Sequence, residues 1–413
     1  MPDKNQLNLI ISTNLGAIMQ RNLNTVVAGH LCLDIIPDLS ALPPGEFLNL
    51  FQPGRLIDVG APLFSTGGPV SNTGLALHIL GIPTRLMGKV GDDLFGQAVL
   101  SLIRRWGNEL ILGMIVDSET STSYTVIINP PGVDRIFLHD PGANHTFCPD
   151  DIDYYDLELA ALFHFGYPPL MRRMYERNGV DLAEILSRAR ATGVTISLDM
   201  SFPDPASPSG KVDWRSILLN ALPYVDIFTP SIEELLFTLH PKTYQQLCEQ
   251  AGSIQILPLV TPELLSDLSQ ELIEMGVKIV LIKTGERGAY LRTASLGSLL
   301  KMGRAQPADP IAWAELELWA PCFQVEVVGT TGSGDSTIAG FLSGFLRGLS
   351  PQAALTAAVG VGACNVEAAD ALGGLCSWET ILHRISSGWD RLPLQLNSPG
   401  WKWDNNHALW YKD

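Results

Sequence analysis

The sequence predicts an α/β protein in which a mostly parallel sheet is covered by helices on both faces, with a smaller sheet set to one side. Three observations carry that reading. Short β-branched runs alternate with helical patterns in the order βαβα through most of the chain, the arrangement that parallel strands joined by crossover helices require. Residues 37–64 and 118–138 break the rhythm with turn residues and alternating Ser, Thr, Tyr, Val and Ile positions, which suits antiparallel strands able to cover a site. A glycine-rich turn at 329–335 leads from an extended run into an apolar helix.

Along the chain, Thr25-Val26-Val27-Ala28-Gly29 is the first strand, Val194 to Leu198 an inner one, and Val225 to Phe228 and Lys278 to Ile282 two more. Each is short, apolar and followed by a turn or polar cluster, as in strands buried on both faces. Asp93 to Trp106 sets Phe95, Val99, Leu102 and Ile103 on one helical face. Residues 292–321 and the Trp-containing stretch from Ser387 to Asp413 have no clear period. The expected organisation is an N-terminal extension at 1–23, one large domain at 24–386 with the two lid stretches, and a C-terminal extension at 387–413.

With 46% hydrophobic and 17% charged residues over 413 positions, the chain can bury a large core. Its 27 Lys and Arg against 43 Asp and Glu give a formal charge of −16. A field of that sign repels a polyanion, and no Lys/Arg run supplies a basic face, so nucleic acid is not an expected partner. The six cysteines include no Cys-x-x-Cys pair, which points to reduced thiols and a cytoplasmic setting. Leu9-Ile10-Ile11 is too closely bounded by Asn8 and Ser12 for a signal peptide. No run of about 18 apolar residues is present, so no membrane is expected.

The segment from Val327 to Thr337 carries the most chemistry. It follows the alternation Phe323, Val325, Val327, read as a strand, and opens a helix with Ile338, Phe341, Leu342, Phe345, Leu346 and Leu349 on its apolar face. Such a turn presents unpaired backbone N–H groups and the positive end of the helix dipole, an anion site suited to phosphate. Gly329, Gly334 and Ser336 have the spacing of a Walker A loop, but Asp335 stands where the phosphate-binding lysine belongs. A dinucleotide G-x-G-x-x-G beginning at Gly332 requires glycine at 337 and meets Thr337. A carboxylate in this place binds phosphate badly, yet can take the proton of an attacking hydroxyl while the amides stabilise the transferring group. An aspartate that only favours a helix N-terminus would look the same.

Gly329-Thr330-Thr331-Gly332-Ser333-Gly334-Asp335, followed by Ala339-Gly340-Phe341, resembles the D-T-x-G-A-G-D motif of the ribokinase-like (PfkB) carbohydrate kinases. The family's N-terminal motif is matched by Gly67-Gly68-Pro69-Val70-Ser71-Asn72, by Leu80-Gly81 and by Gly88 to Gly96. The resemblance covers roughly residues 24–376. It implies a three-layer α/β/α sandwich with a small β-sheet lid, and ATP-dependent phosphorylation of a hydroxyl on a small neutral sugar, with ATP and Mg2+. By the same resemblance Asp335 is the general base, and Gly332, Ser333 and Gly334 form the anion hole. Asp34, near the end of the first strand, is the acid that can accept two sugar hydroxyl protons. Gly67, Gly68, Asn72 and Asn144, the last in Gly142-Ala143-Asn144, also belong to the substrate side. Turn chemistry explains the glycines and Asn144 almost as well. Arg135 either faces this site or is an exposed strand residue.

On the nucleotide side the resemblance implicates Thr284, Gly285 and Gly288 beneath ATP, Ser231 near the phosphates and Asn365 near the adenine. Glu234 is matched to the glutamate that orients hydrated magnesium. A solvated glutamate in a first helical turn would read identically. Gly329 replaces an aspartate that helps hold potassium in several relatives, so weak or absent potassium activation is expected. Ser231 replaces an asparagine, and Leu198 to Phe202 replaces an aspartate-proline-asparagine-arginine run. Lid aromatics Phe47, Phe51, Phe64, Tyr124 and Phe137 keep a nucleoside kinase open, and Gly329 with Ser231 keeps open a non-catalytic sugar- or nucleotide-binding homologue. A homodimer could pair through the lid.

Overall fold

The protein is described here from a computed structural model, which covers residues 21–42, 52–129 and 136–413. Phe47, Phe51, Arg135 and most of the expected 1–23 extension lie outside the described residues. In chain order the first strands are β1 (Thr25–Gly29), β2 (Cys32–Asp38), β3 (Gly60–Gly67), β4 (Thr84–Met87), β5 (Lys89–Gly91), β6 (Ile115–Asp117), β7 (Tyr124–Ile128) and β8 (Ile136–Asp140). They are followed by β9 (Leu162–Gly166), β10 (Thr195–Leu198), β11 (Ile227–Phe228), β12 (Ile279–Lys283), β13 (Ala289–Thr293), β14 (Glu317–Ala320), β15 (Trp401–Asp404) and β16 (Leu409–Lys412). The helices that matter below are α1 (Pro69–Ile79), α2 (Leu94–Arg104), α3 (Val180–Ala191), α4 (Trp214–Ala221), α5 (Ile232–Leu239), α6 (Pro262–Glu274), α7 (Ser333–Leu346), α8 (Pro351–Asn365) and α9 (Trp378–Ser386).

Ten strands form the main sheet, in the order β15-β16-β14-β13-β12-β11-β10-β9-β1-β4. Pairing is parallel from β4 across to β12 and antiparallel from β12 to β15. Because side chains alternate along a strand, both faces carry a core. In β1, Val27 enters one cluster and Val26 and Ala28 the other; in β12, Ile279 and Leu281 separate from Val280 and Ile282 in the same way. Helices α1, α2, α7, α8 and α9 cover the first face with Leu75, Val99, Phe341, Leu355 and Ile381. Helices α3, α4, α5 and α6 cover the second with Ile185, Trp214, Leu235 and Leu272. The result is the expected three-layer arrangement, in which each fully buried Leu, Ile or Phe contributes about 1.5–3 kcal/mol.

The second sheet has the order β3-β2-β7-β8. It is wider than the stretches 37–64 and 118–138 suggested, beginning at Cys32 and reaching Gly67 and Asp140. Its central pair β2–β7 is parallel, while β2–β3 and β7–β8 are antiparallel. Asp34 therefore stands inside a lid strand rather than at the end of β1. The chain passes from the main sheet to the lid within His30-Leu31, too short a crossing to leave a turn signature.

Two further expectations change. Phe323 to Val327 is not a strand: β14 ends before Pro321, which has no N–H to give a ladder, and only Phe323 makes an isolated bridge, to Arg391. The strand lies instead at Glu317–Ala320, inside the stretch without a readable period. Residues 401–412, expected as part of a C-terminal extension, lengthen the main sheet by two antiparallel strands. All six cysteines are free thiols, and among the described residues no helix is long and apolar enough to cross a membrane.

Candidate active site

In open sheets of this kind the carboxyl ends of the parallel strands are where ligands bind. Here those ends deliver His30 after β1, Tyr167 after β9, Asp199 after β10 and Lys283 at the end of β12. Between them and the lid lies a cleft of about 1040 Å³, lined by Asp34, Gly67, Gly68, Asn72, Tyr167 and Thr331 among others.

Gly332 adopts φ 73°, a left-handed conformation that glycine takes without strain, and a Cβ there would fall 2.7 Å from the Ala371 methyl. It starts α7 with no side-chain cap, so the first amides meet whatever occupies the turn. Of the expected anion-hole groups, the Ser333 N–H reaches the Thr330 carbonyl at 3.3 Å, and Gly334 sits against Lys283. Asp335, 2% exposed, projects from the first turn. Its Oδ2 accepts from Asn72 Nδ2 at 3.1 Å and Tyr167 OH at 3.0 Å, and its Oδ1 accepts from Thr73 Oγ1 at 3.0 Å. Burial raises its pKa, while the three donors and the Lys283 charge oppose the rise. Tyr167 is the reverse case: burial and the neighbouring Asp335 push its phenol well above its usual value, so it stays a donor.

On the substrate side, Gly68 has φ 89°, and a Cβ there would meet the His30 carbonyl at 2.5 Å. Gly67 lies so close to the Asp34 carboxylate that a Cβ would approach it to 2.4 Å. Asp34 is buried, accepts from Cys32 Sγ at 3.3 Å, and has its pKa raised by burial to about 6. Asn144, expected on the substrate side, holds a backbone segment. Fully buried, it accepts the Leu31 N–H at 3.1 Å and donates to the Leu31 carbonyl at 2.9 Å. Both ends of its amide thus fasten the main-sheet-to-lid crossing.

Of the residues expected on the nucleotide side, Ser231 and Thr284 follow β11 and β12, and Asn365 ends α8. Thr284, Gly285 and Gly288 form the β12–β13 hairpin turn, where Thr284 Oγ1 donates to the Gly288 carbonyl at 2.8 Å. Ser231 caps α5: Glu234 N–H donates to its Oγ at 3.2 Å, and Ser231 N–H donates to Glu234 Oε2 at 2.7 Å, a reciprocal capping box. A parallel bridge sets Ser231 beside Lys283. Asn365 is buried and donates to the Ala371 carbonyl at 2.6 Å, holding the loop that packs on Gly332. Among the described residues no three His, Cys, Asp or Glu converge as a metal cage.

Several residues at the site escaped sequence reasoning. Thr73 follows Asn72 directly, and a polar pair opening an apolar helix was the available signal. Tyr167 stands at φ 63°, which no sequence pattern announces. His30 is buried, and neither ring nitrogen has a hydrogen-bond partner among the described residues. Burial, then His139 and His145, hold it well below its ordinary pKa and therefore neutral. Asp199 and Lys283 pair at 2.8 Å in the interior.

Residues 24–375 match the pfkB family carbohydrate kinase family. The chain belongs to that family. A curated relative from Archaeoglobus fulgidus, named "Uncharacterized sugar kinase", is 27% identical over 276 residues, 66% of this chain and 87% of its own. "Probable fructokinase-3" of Arabidopsis thaliana is 22% identical over 315 residues, 76% of this chain and 75% of its own. The solved structure of Arabidopsis thaliana ribokinase complexed with ribose and ATP is similar with a TM-score of 0.62 at 18% identity, covering 87% of this chain and 97% of that one. The kinase accordingly has the ribokinase-like fold and is a phosphotransferase with an alcohol group as acceptor.

Proposed function

We propose that the kinase phosphorylates a hydroxyl of a small neutral sugar, using ATP. One observation carries the reading: a buried aspartate, Asp335, at the uncapped first turn of α7, held by Asn72 and Tyr167, both of which line the cleft that Asp34 enters from the lid. Asp335 takes the proton of the attacking hydroxyl, Asn72 and Tyr167 fix the carboxylate's orientation, and the amides at 332–334 meet the charge of the transferring group. Asp34 accepts hydroxyl protons at the other end of the sugar, and Gly67 and Gly68 bring the backbone close to it. The ribose and ATP bound by the Arabidopsis neighbour agree with this choice of ligands.

Magnesium fits as the partner of ATP: Asp199, Glu234 and Asp335 bear on one lysine, burial raises the pKa of each, and carboxylate oxygens that a bound cation would keep ionised suit that ion. Glu234 is the residue that would orient its water, and the ion would neutralise phosphate charge when bound. A second reading, a nucleoside kinase, is favoured by the apolar wall of Ile127, Phe137 and Phe202 in the same cleft. ADP release measured with a panel of neutral sugars and nucleosides tests both. Turnover of a sugar such as ribose or fructose is expected. Turnover of nucleosides alone moves the assignment to the second reading, and ligand binding without any turnover overturns the kinase assignment of this site.

A further inference from the structure

Lys283 ends β12 with its side chain 13% exposed. Its ammonium has one hydrogen-bond partner among the described residues, Asp199 Oδ1, so two of its three N–H donors are left for something else. The other side of the pair is open too, since the buried Asp199 Oδ2 has no partner. Buried charges that serve only to hold a fold are ordinarily hydrogen-bonded on every side. This pair is instead half-satisfied at both ends.

Its position is the second observation. A Cβ on Gly334 would lie 3.5 Å from Lys283 Cδ and 3.7 Å from Nζ, so the ammonium lies beside the first turn of α7. The groups that bear on it from neighbouring elements are Asp199 after β10, Glu234 on α5 and Asp335 on α7, with His164 of β9 also near. A phosphoryl group entering among three acids would be repelled by them. Lys283 is the counter-charge placed at the point of entry.

We infer that Lys283 is a catalytic residue whose ammonium binds the non-bridging oxygens of the transferring phosphoryl group, while Asp199 aims it. The inference rests on the kinase reading above. In the step, the acceptor oxygen bonds to the γ-phosphorus as the bond from that phosphorus to the β–γ bridging oxygen breaks. The bridging oxygen keeps the electron pair and leaves as ADP, and the acceptor's proton passes to Asp335. Lys283 neither gives nor takes a proton. It acts by charge on oxygens whose negative charge must be met throughout transfer, the role in which preorganised electrostatics are strongest.

The competing account is that Lys283 only neutralises Asp199. Lys283→Met and the double variant Lys283→Met/Asp199→Asn, which leaves no unpaired buried charge, separate the two. Two readouts are needed: kcat and KM with the best sugar of the panel, and affinity for ADP with and without aluminium fluoride, a mimic of the phosphoryl group in flight. The expected result is a kcat lower by about 10²–10³-fold in both variants, a sugar KM little changed, and loss of the extra affinity that aluminium fluoride confers on ADP. The double variant should melt like the parent protein. Recovery of kcat in the double variant, or an undiminished aluminium fluoride effect in Lys283→Met, overturns the inference. If Lys283→Met does not fold, the double variant carries the same test. Failure of the kinase reading itself would be seen separately, as a parent protein that turns over no acceptor, whereas the ADP comparison needs none.

Discussion

The two ends of the one cleft are built in opposite ways. At the helix end, Asp335 is held by three donors from two separate elements. At the lid end, His30 has two ring nitrogens without partners among the described residues, and Asp34 is held by the weak thiol donor of Cys32 and by the Thr125 hydroxyl. An unsatisfied buried polar atom costs about 1–3 kcal/mol, so the lid end is uncomfortable until a hydroxyl compound supplies the missing bonds. The difference teaches where each kind of work is done. The proposed base is fixed in advance, whereas the Lys283–Asp199 pair on the proposed phosphoryl side and His30 beside the lid keep unused bonding capacity.

The largest break in that contrast comes from removing the fixed base. Asp335→Ala should lower turnover by about 10²–10⁴-fold while leaving ATP binding intact, read by steady-state kinetics beside an ATP titration; retained activity would reject Asp335 as the base. Next in size is the open end. Asp34→Asn should raise the sugar KM by about 10-fold or more, since hydrogen bonds to a charged group are worth about 1.5–3 kcal/mol, with a smaller change in kcat. The pH profile sharpens this. Burial raises Asp34 to about 6, so sugar affinity that needs its ionised form is present above that pH and lost as pH falls through it. In Asp34→Asn that acid limb should vanish from kcat/KM.

A smaller effect is expected from trimming the fixed end without removing it. Tyr167→Phe leaves Asp335 with two donors and should lower kcat by about 10-fold, a hydrogen bond to a charged group being worth at least this much. Because the lost bond favoured the ionised carboxylate, the acid limb of kcat should move to higher pH. An unmoved limb would show that the base titrates independently of Tyr167. The smallest expected effect is weak or absent: exchanging sodium for potassium should change the rate little. Gly329 has no carboxylate to offer, and a Cβ there would come within 2.8 Å of the Ala368 carbonyl, so the fold itself refuses a side chain. A strong rise in rate with potassium would defeat this expectation.

What could be read in the sequence follows the range over which each feature is encoded. β1 was legible to the residue because Val26, Val27 and Ala28 form an apolar run closed by Gly29, and the place of Asp335 was legible because its turn and helix are contiguous. The clamp of Asn144 on Leu31 was hidden because only the fold brings Leu31 to it. The pair of tail strands was hidden since antiparallel edge strands rich in tryptophan share no period with the parallel core. The role proposed for Lys283 was invisible because it depends on Asp199 and Gly334, both distant in the chain. Glu234 was found by its motif, but its bond back to Ser231 is local helix chemistry that the motif does not distinguish.

The bonds that hold Asp335 have one more consequence. They close loops of 263, 262 and 168 residues to Asn72, Thr73 and Tyr167, and contacts of such separation form late, after nearer ones have made closure affordable. The setting of Asp335 is therefore expected among the last features a folding chain assembles and among the first that partial denaturation disperses. Activity should disappear at a lower urea concentration than the helical signal does, making turnover the more sensitive gauge of an intact protein.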